Sequence, residues 1–208
     1  MITSLDQLDF DKTYSYADYL TWKFDEFVEL IKGKIFPMSA PSRQHQEVVT
    51  KLTRRVGNFL EDNYLECKVY VAPFDVRLLR NPNEPLEERL SKTDKEIYTV
   101  VQPDICVVCD LEKLDDRGCV GAPDLIIEVV SEKSAANANR DVVEKYDIYA
   151  VNGVREYWLA RPLEKSVQKF LLNSTTNTYE NEGFYRTVDR ISSTVVEGLE
   201  LEVEDIFR

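Results

Sequence analysis

Apolar positions along the chain change period several times, and each change marks an element. From Gln44 to Leu60, the residues Val48, Val49, Leu52, Val56, Phe59 and Leu60 recur three and four apart, which predicts an amphipathic helix. Ahead of it, EFVELIKGKIFPMS reads as two short strands around a Lys32-Gly33 turn, ended by Pro37 and Pro41. Ser15, with Asp18 three residues on, has the spacing of a capping box and predicts a short helix over Tyr16 to Trp22. The segment CKVYVAPFDVRLLR alternates as a strand bent at Pro73, and the polar tract from Asn81 to Lys95 reads as a surface loop. VVQPDICVVCD and PDLIIEVVS are Val- and Ile-rich runs of core-strand length, separated by LEKLDDRGCVGA, which is too charged and glycine-marked for a core element but has room for a helical turn. Ala136 to Ala150 predicts a second helix, with Val142, Val143, Tyr146, Ile148 and Tyr149 forming a broad stripe. Asn152-Gly153 ends it before the strand REYWLAR. SVQKFLLN, TYENEGFYR and STVVEGLELEVEDIF close the chain as strand-like runs. This order predicts an α/β fold of mixed α+β type, with a central mixed sheet flanked by helices and additional strands at both ends.

Length adds that a single domain over residues 1–208 suffices. The 38 acidic against 26 basic residues leave a net charge of -12, which argues against a protein that works by coating nucleic-acid backbone. A local basic groove or bound divalent cations can override that mean. No run approaches the ~20 apolar residues of a membrane span. The N-terminal stretch MITSLDQLDFDK has neither a basic nor an apolar leader region, so a cytoplasmic location is the expectation. Cys67, Cys106, Cys109 and Cys119 contain one CxxC pair without a partner pair. Buried free thiols are the plain expectation, with zinc or redox chemistry as the alternative and disulfide stapling disfavoured.

Against this background a few ionisable groups stand out. Asp104 and Glu128 each sit inside an apolar strand, where a carboxylate must be paired, neutralised or bound to a metal. If their strands are neighbours, a cross-strand spacing of roughly 5 Å lets the two share one cation. Asp124 lies on the same face as Glu128 but about 13 Å along an extended chain, too far to share it. Oxygen ligands suit Mg²⁺, with Mn²⁺ as its substitute, better than zinc. Lys145, on the helix after the Glu128 strand, can supply a cationic group, and Asp141 at i-4 can orient it. The plainer alternatives are strand-end carboxylates paired with arginines and a surface Lys-Asp pair. The single histidine, His45, excludes multi-histidine zinc sites; on its helix face it is either a buried, hydrogen-bonded core residue or a site-lining one. Glu29, beside the hairpin turn, reads on composition alone as solvated. No phosphate-binding glycine loop, GxSxG elbow or dinucleotide glycine triplet occurs, so ATPase, serine-hydrolase and dehydrogenase chemistry lack residue-level support.

The blocks EFVELIKGKIFPMSAPSRQHQEVV, YVAPFDVRL, VVQPDICVVCD, GAPDLIIEVVSEKS and RDVVEKYDIYAVNGVREYWLARP, with the closing strands, resemble the Uma2 family of restriction-endonuclease-like proteins over residues 14 to 205. The combination of GxPDLxxEVxS, DxxxKxxxY and GVxEYW carries the resemblance. It implies the PD-(D/E)xK nuclease fold, with Asp104 as the motif aspartate and Glu128 as the second acidic residue. Val130 stands where the motif lysine usually falls, and Lys145 takes that place from the following helix. The resemblance gives Glu29 a part in holding metal or water, raises His45 to a site-lining role, and leaves Asp124 and Asp141 as supporting residues. It implies Mg²⁺-dependent phosphodiester hydrolysis, with DNA as partner; because cutting a duplex takes two scissions and soluble oligomers are commonly homodimers, a homodimer is the expected working form. The alternatives are a non-catalytic nucleic-acid- or protein-binding scaffold, and an RNA- or structure-selective nuclease.

Overall fold

The structure is a computed structural model that describes residues 2–79, 92–131 and 135–208, with backbone alone over 135–142. Among the described residues it has four α-helices and fourteen strands. The helices are α1 (Tyr16–Tyr19), α2 (Arg43–Asp62), α3 (Ala135–Asn152) and α4 (Val203–Phe207). The first half of the chain contributes β1 (Val28–Ile31), β2 (Lys34–Pro37), β3 (Lys68–Val71), β4 (Val76–Arg77), β5 (Val100–Val101), β6 (Ile105–Val108), β7 (Leu114–Asp115) and β8 (Gly118–Val120). The second half contributes β9 (Leu125–Val129), β10 (Glu156–Arg161), β11 (Ser166–Asn173), β12 (Thr178–Arg186), β13 (Arg190–Ser192) and β14 (Glu200–Glu202).

The main sheet runs β12-β11-β10-β9-β6-β3. It is antiparallel except for the β9/β10 pair, which is parallel because α3 crosses over between those strands. Alternation divides its side chains between two cores. Ile105, Val107, Leu125, Ile127, Val129, Trp158 and Ala160 face α2, whose Val48, Val49, Leu52, Val56 and Leu60 cover them. Cys106, Val108, Ile126, Tyr157 and Leu159 face the other way, toward Ile148, Tyr149 and Ala150 of α3. At about 1.5–3 kcal/mol per buried aliphatic side chain, the α2 stripe alone contributes on the order of 10 kcal/mol before conformational entropy is subtracted.

A second sheet, β2-β1-β5-β4-β8-β7, packs beside the α3 face. In β1 all four residues are buried, because both faces are covered. Val28 and Leu30 enter a third cluster with Tyr14, Tyr16 and Trp22, while Ile31 joins the α3 core. Glu29 shares the face of Ile31 and is therefore buried too, 5% exposed, not the solvated hairpin residue that composition suggests.

Several expectations are corrected. The two proline-containing runs are not single strands: each breaks at its proline and serves both sheets, β3 and β4 on either side of Pro73, β5 and β6 on either side of Pro103. Proline has no N–H for the ladder, so the break falls where pairing must change sheet. The segment between the core runs does hold a helical turn, of 3-10 type, but also adds β7 and β8 to the second sheet, and Val143 is 61% exposed, off the buried stripe. In the tail, Val203–Phe207 is helical, not extended. Residues 81–91 of the expected surface loop lie outside the described ones. Cys67 and Cys109 form a disulfide, because the β3/β6 register pairs Lys68 with Val108 and sets the two cysteines opposite each other, 3.9 Å apart at Cα. The CxxC spacing is therefore no metal or redox pair: Cys106 points into the α3 core and stays a buried free thiol, as does Cys119.

Candidate active site

The site grows out of one register. β6 and β9 are antiparallel with Ile105 opposite Ile127, which sets the preceding Asp104 across from Glu128 on the α3 face. The Asp104 N–H lies 3.4 Å from Glu128 Oε2, and the Val129 N–H donates to Asp104 Oδ2 at 2.8 Å. Backbone thus pins one carboxylate to the strand of the other.

Helix α3 brings the cation. Lys145 and Tyr149 are four apart and share a helix face. Lys145 Nζ lies 3.1 Å from Glu128 Oε1 and 2.9 Å from Glu29 Oε1, while the Tyr149 hydroxyl donates to Glu128 Oε1 at 2.6 Å. Helix α2 brings the histidine. Ser42 caps that helix by accepting from the His45 N–H, which fixes His45 in the first turn, and its Nε2 reaches Asp104 Oδ2 at 3.1 Å. Five side chains from five segments, Glu29, His45, Asp104, Glu128 and Lys145, line one cleft of about 600 Å³.

Three carboxylates against one ammonium make the floor electronegative. Burial, with the Asp104 and Glu29 charges added, pushes the Glu128 carboxyl up to about 7 even though Lys145 pulls it down. Burial opposes the charged form of Lys145, but Glu128 and Glu29 outweigh it and hold the ammonium above its usual range. Burial likewise opposes charge on His45, and the hydrogen bond and charge of Asp104 reverse it, so the imidazole is raised.

Asp124 is not part of this cluster. It stands at the other end of β9, where its carboxylate accepts from the Cys109 N–H at 2.6 Å and from Arg155 at 2.5 Å, and so organises two loop ends. The side chain of Asp141 lies outside the described ones.

The model of the family described as "Putative restriction endonuclease", Uma2, matches residues 16–204. The chain belongs to the Uma2 family. Among solved structures it is similar to the crystal structure of "a putative nuclease belonging to DUF820" from Anabaena variabilis, at 17% identity and a TM-score of 0.67 over 93% of this chain and 97% of that one. At that identity the likeness establishes the mixed α+β fold and nothing finer. No curated protein matches.

Four further residues adjoin this cluster in the Uma2 chain and were not singled out from sequence. Tyr149 closes the DxxxKxxxY block, so its spacing from Lys145 is the signal that reveals it. The Gln102 N–H donates to Glu29 Oε1 at 2.8 Å, and its side-chain amide donates to Asp75 Oδ1 at 2.9 Å. Asp75 also accepts from the Tyr19 hydroxyl at 3.2 Å, and burial raises its carboxyl. The Tyr157 hydroxyl is buried against the cleft and makes no hydrogen bond among the described residues.

A divalent cation fits this donor set in charge and chemistry. With the three carboxylates ionised, their excess of two negative charges over Lys145 is what such an ion neutralises, and carboxylate oxygens are the ligands Mg²⁺ and Mn²⁺ take. Among the described residues no three His, Cys, Asp or Glu side chains converge into a ready cluster; Lys145 stands between Glu29 and Glu128 instead.

Proposed function

We propose that this Uma2 chain is a divalent-metal-dependent endonuclease that hydrolyses phosphodiester bonds in DNA. The observation that carries the reading is the β6/β9 register, which sets Asp104 beside Glu128 with Lys145 3.1 Å from the latter at the floor of a cleft. Asp104 and Glu128, with Glu29 beside them, would hold Mg²⁺ or Mn²⁺. When bound, that ion neutralises phosphate charge and acidifies a coordinated water.

The chain's own residues do the rest. Lys145, fixed by Glu29, presents an ammonium that orients the attacking water and stabilises charge developing on a phosphate oxygen. His45 and the Val129 N–H hold the Asp104 carboxylate in one orientation, and Tyr149 does the same for Glu128. The lysine usually two residues after the second acid is thus supplied from α3, where its side chain reaches the same carboxylate. No helix among the described residues is long and apolar enough to cross a membrane.

Purified protein incubated with duplex, single-stranded and branched DNA at low salt with Mn²⁺ should cleave at least one substrate. EDTA, Asp104→Ala and Glu128→Ala should each abolish that cleavage. Tight nucleic-acid or protein binding without scission under any divalent ion would replace the hydrolase with a scaffold that keeps the fold.

A further inference from the structure

We infer that the cleft takes an unpaired DNA strand, with the phosphodiester on the carboxylate floor and a neighbouring base against an apolar wall formed by Phe27, Met38 and Pro41. The inference rests on the hydrolase reading for its floor and goes beyond it in naming the form of the substrate.

Three observations converge. First, the floor is recessed: the side chains of Glu128, Lys145 and Glu29 are only 12%, 13% and 7% exposed. Such a floor is reached most readily by a phosphodiester whose strand is free to bend into the cleft. A cleft of about 600 Å³ has the size of a small-ligand pocket, enough for a nucleotide-sized piece of a single chain. An unpaired strand enters without the unstacking and unpairing that a duplex must undergo.

Second, the wall is apolar where a duplex binder would be basic. Phe27 is 54% exposed and Met38 37%, an unusual display for large apolar groups unless something covers them. They stand on either side of the β1/β2 hairpin base, joined by the hydrogen bond from the Met38 N–H to the Phe27 carbonyl at 2.9 Å, so they form one surface. Among the described residues lining the cleft, Lys145 and His45 are the only cationic types, while Asp25 and Glu26 sit at its edge beside Phe27. That surface cannot neutralise a row of phosphates, but it can receive a base, whose π-face stacks on aromatic and apolar side chains regardless of sequence.

Third, two residues lining the cleft carry buried polar atoms without a partner among the described residues. Gln102 Oε1 and the Tyr157 hydroxyl are buried, make no hydrogen bond among the described residues and belong to residues lining the cleft. Buried polar groups are ordinarily satisfied, so a donor for Gln102 Oε1 and a partner of either kind for the Tyr157 hydroxyl complete the lining of the cleft. A nucleotide provides both. One strand also needs only one scission, so a single protomer suffices.

The test uses full-length protein and a fluorescein-labelled DNA 12-mer, single-stranded or annealed to its complement. Binding is read by anisotropy with Ca²⁺, and cleavage is read separately with Mn²⁺. Wild type should bind and cut the single strand at least about 10-fold better than the duplex. Phe27→Ala, at a half-exposed position that the fold does not need, should weaken single-strand binding by roughly 5- to 150-fold, the range of one base stack, and Phe27→Trp should restore it. Equal use of duplex and single strand, or a folded Phe27→Ala protein with unchanged single-strand binding, would overturn the inference. Loss of all cleavage alongside Phe27-dependent single-strand binding would instead remove the hydrolase reading and leave this one standing.

Discussion

Two glutamates stand on adjacent strands of the main sheet, both in apolar surroundings, and their environments are opposite. Glu156 opens β10 and faces the α2 side. Its carboxylate accepts from Trp158 Nε1 at 2.6 Å, from the Ser193 hydroxyl at 3.0 Å and from the Thr194 and Val195 N–H groups at 2.7 and 3.0 Å. Lys169 lies 3.8 Å away and itself donates to the Ser192 carbonyl and the Thr194 hydroxyl. Glu128, on β9, faces α3. It meets fewer donors, shares its one ammonium with Glu29, and lies beside a second carboxylate, Asp104. One site is a closed network in which every acceptor is answered, tying the 193–195 loop to the sheet; the other carries uncompensated negative charge next to a cleft. A buried carboxylate is therefore not by itself a sign of function: what distinguishes the two is whether charge is balanced inside the protein.

The contrast breaks most sharply under substitution at Glu128. Glu128→Gln keeps shape and a hydrogen-bonding end but removes the charge. Metal-dependent cleavage should fall by about 100- to 1,000-fold or more while the melting temperature holds or rises, since a repelled charge has been relieved. A Glu128→Gln protein that unfolds outright would put Glu128 in the same class as Glu156.

Glu156→Ala should do the reverse. Lys169 and three or more donors would be left buried without their acceptor, at a cost of about 3–5 kcal/mol measured by urea unfolding, with turnover per folded molecule retained. A loss below about 1 kcal/mol would mean that water answers those donors and that the network is not what holds the loop.

Both glutamates are visible in the sequence as charges among Val, Ile, Tyr and Trp, but their difference is not, because it depends on groups far away in the chain. Ser193 to Val195 reach Glu156 only once β13 and β14 fold back, and Glu29 reaches Lys145 only once β1 pairs with β5. What periodicity and turn chemistry do specify came through well: α2, the Lys32-Gly33 hairpin, the Ser15–Asp18 capping box, and β11 and β12, whose bounds coincide with the alternating runs. Local pattern failed where one run serves two sheets, at Pro73 and Pro103. It failed again where a strand is covered on both faces, since β1 buries Glu29 along with Val28. The disulfide was illegible for the same reason as the glutamates: it follows from a pairing across 42 residues.

A subtler test lies at Tyr149. Its hydroxyl gives Glu128 its shortest hydrogen bond, 2.6 Å, and orients the carboxylate rather than touching a substrate. Tyr149→Phe should reduce turnover by about 10- to 100-fold, the usual effect of removing a group that positions a metal ligand, with weaker Mn²⁺ binding by calorimetry as the distinguishing readout. Reduced stability with unaltered Mn²⁺ affinity would make the bond merely structural.

The smallest effect is a pH dependence of stability, and its sign follows from the same imbalance. Burial and the neighbouring carboxylates raise Glu128 from 4.5 to about 7, so between those values the folded protein binds a proton that the unfolded chain releases. Glu128 therefore contributes stability that is fully present below about pH 4.5 and is lost as the pH climbs through about 7. Lys145 is already part of that balance, and the loss should be on the order of 1–3 kcal/mol. His45, also raised, keeps its own contribution intact below its usual 6.5 and loses it only above, so the decline between pH 4.5 and 6.5 isolates Glu128 from the histidine. Other carboxylates, including Asp75, titrate in both proteins and cancel when Glu128→Gln is subtracted from wild type in EDTA-containing buffer. The difference curve should fall with rising pH across this window and flatten when Mg²⁺ is added, because a bound cation favours the ionised carboxylate. Parallel curves for the two proteins would mean that Lys145 already balances Glu128, and the contrast with Glu156 would then rest on the cleft alone.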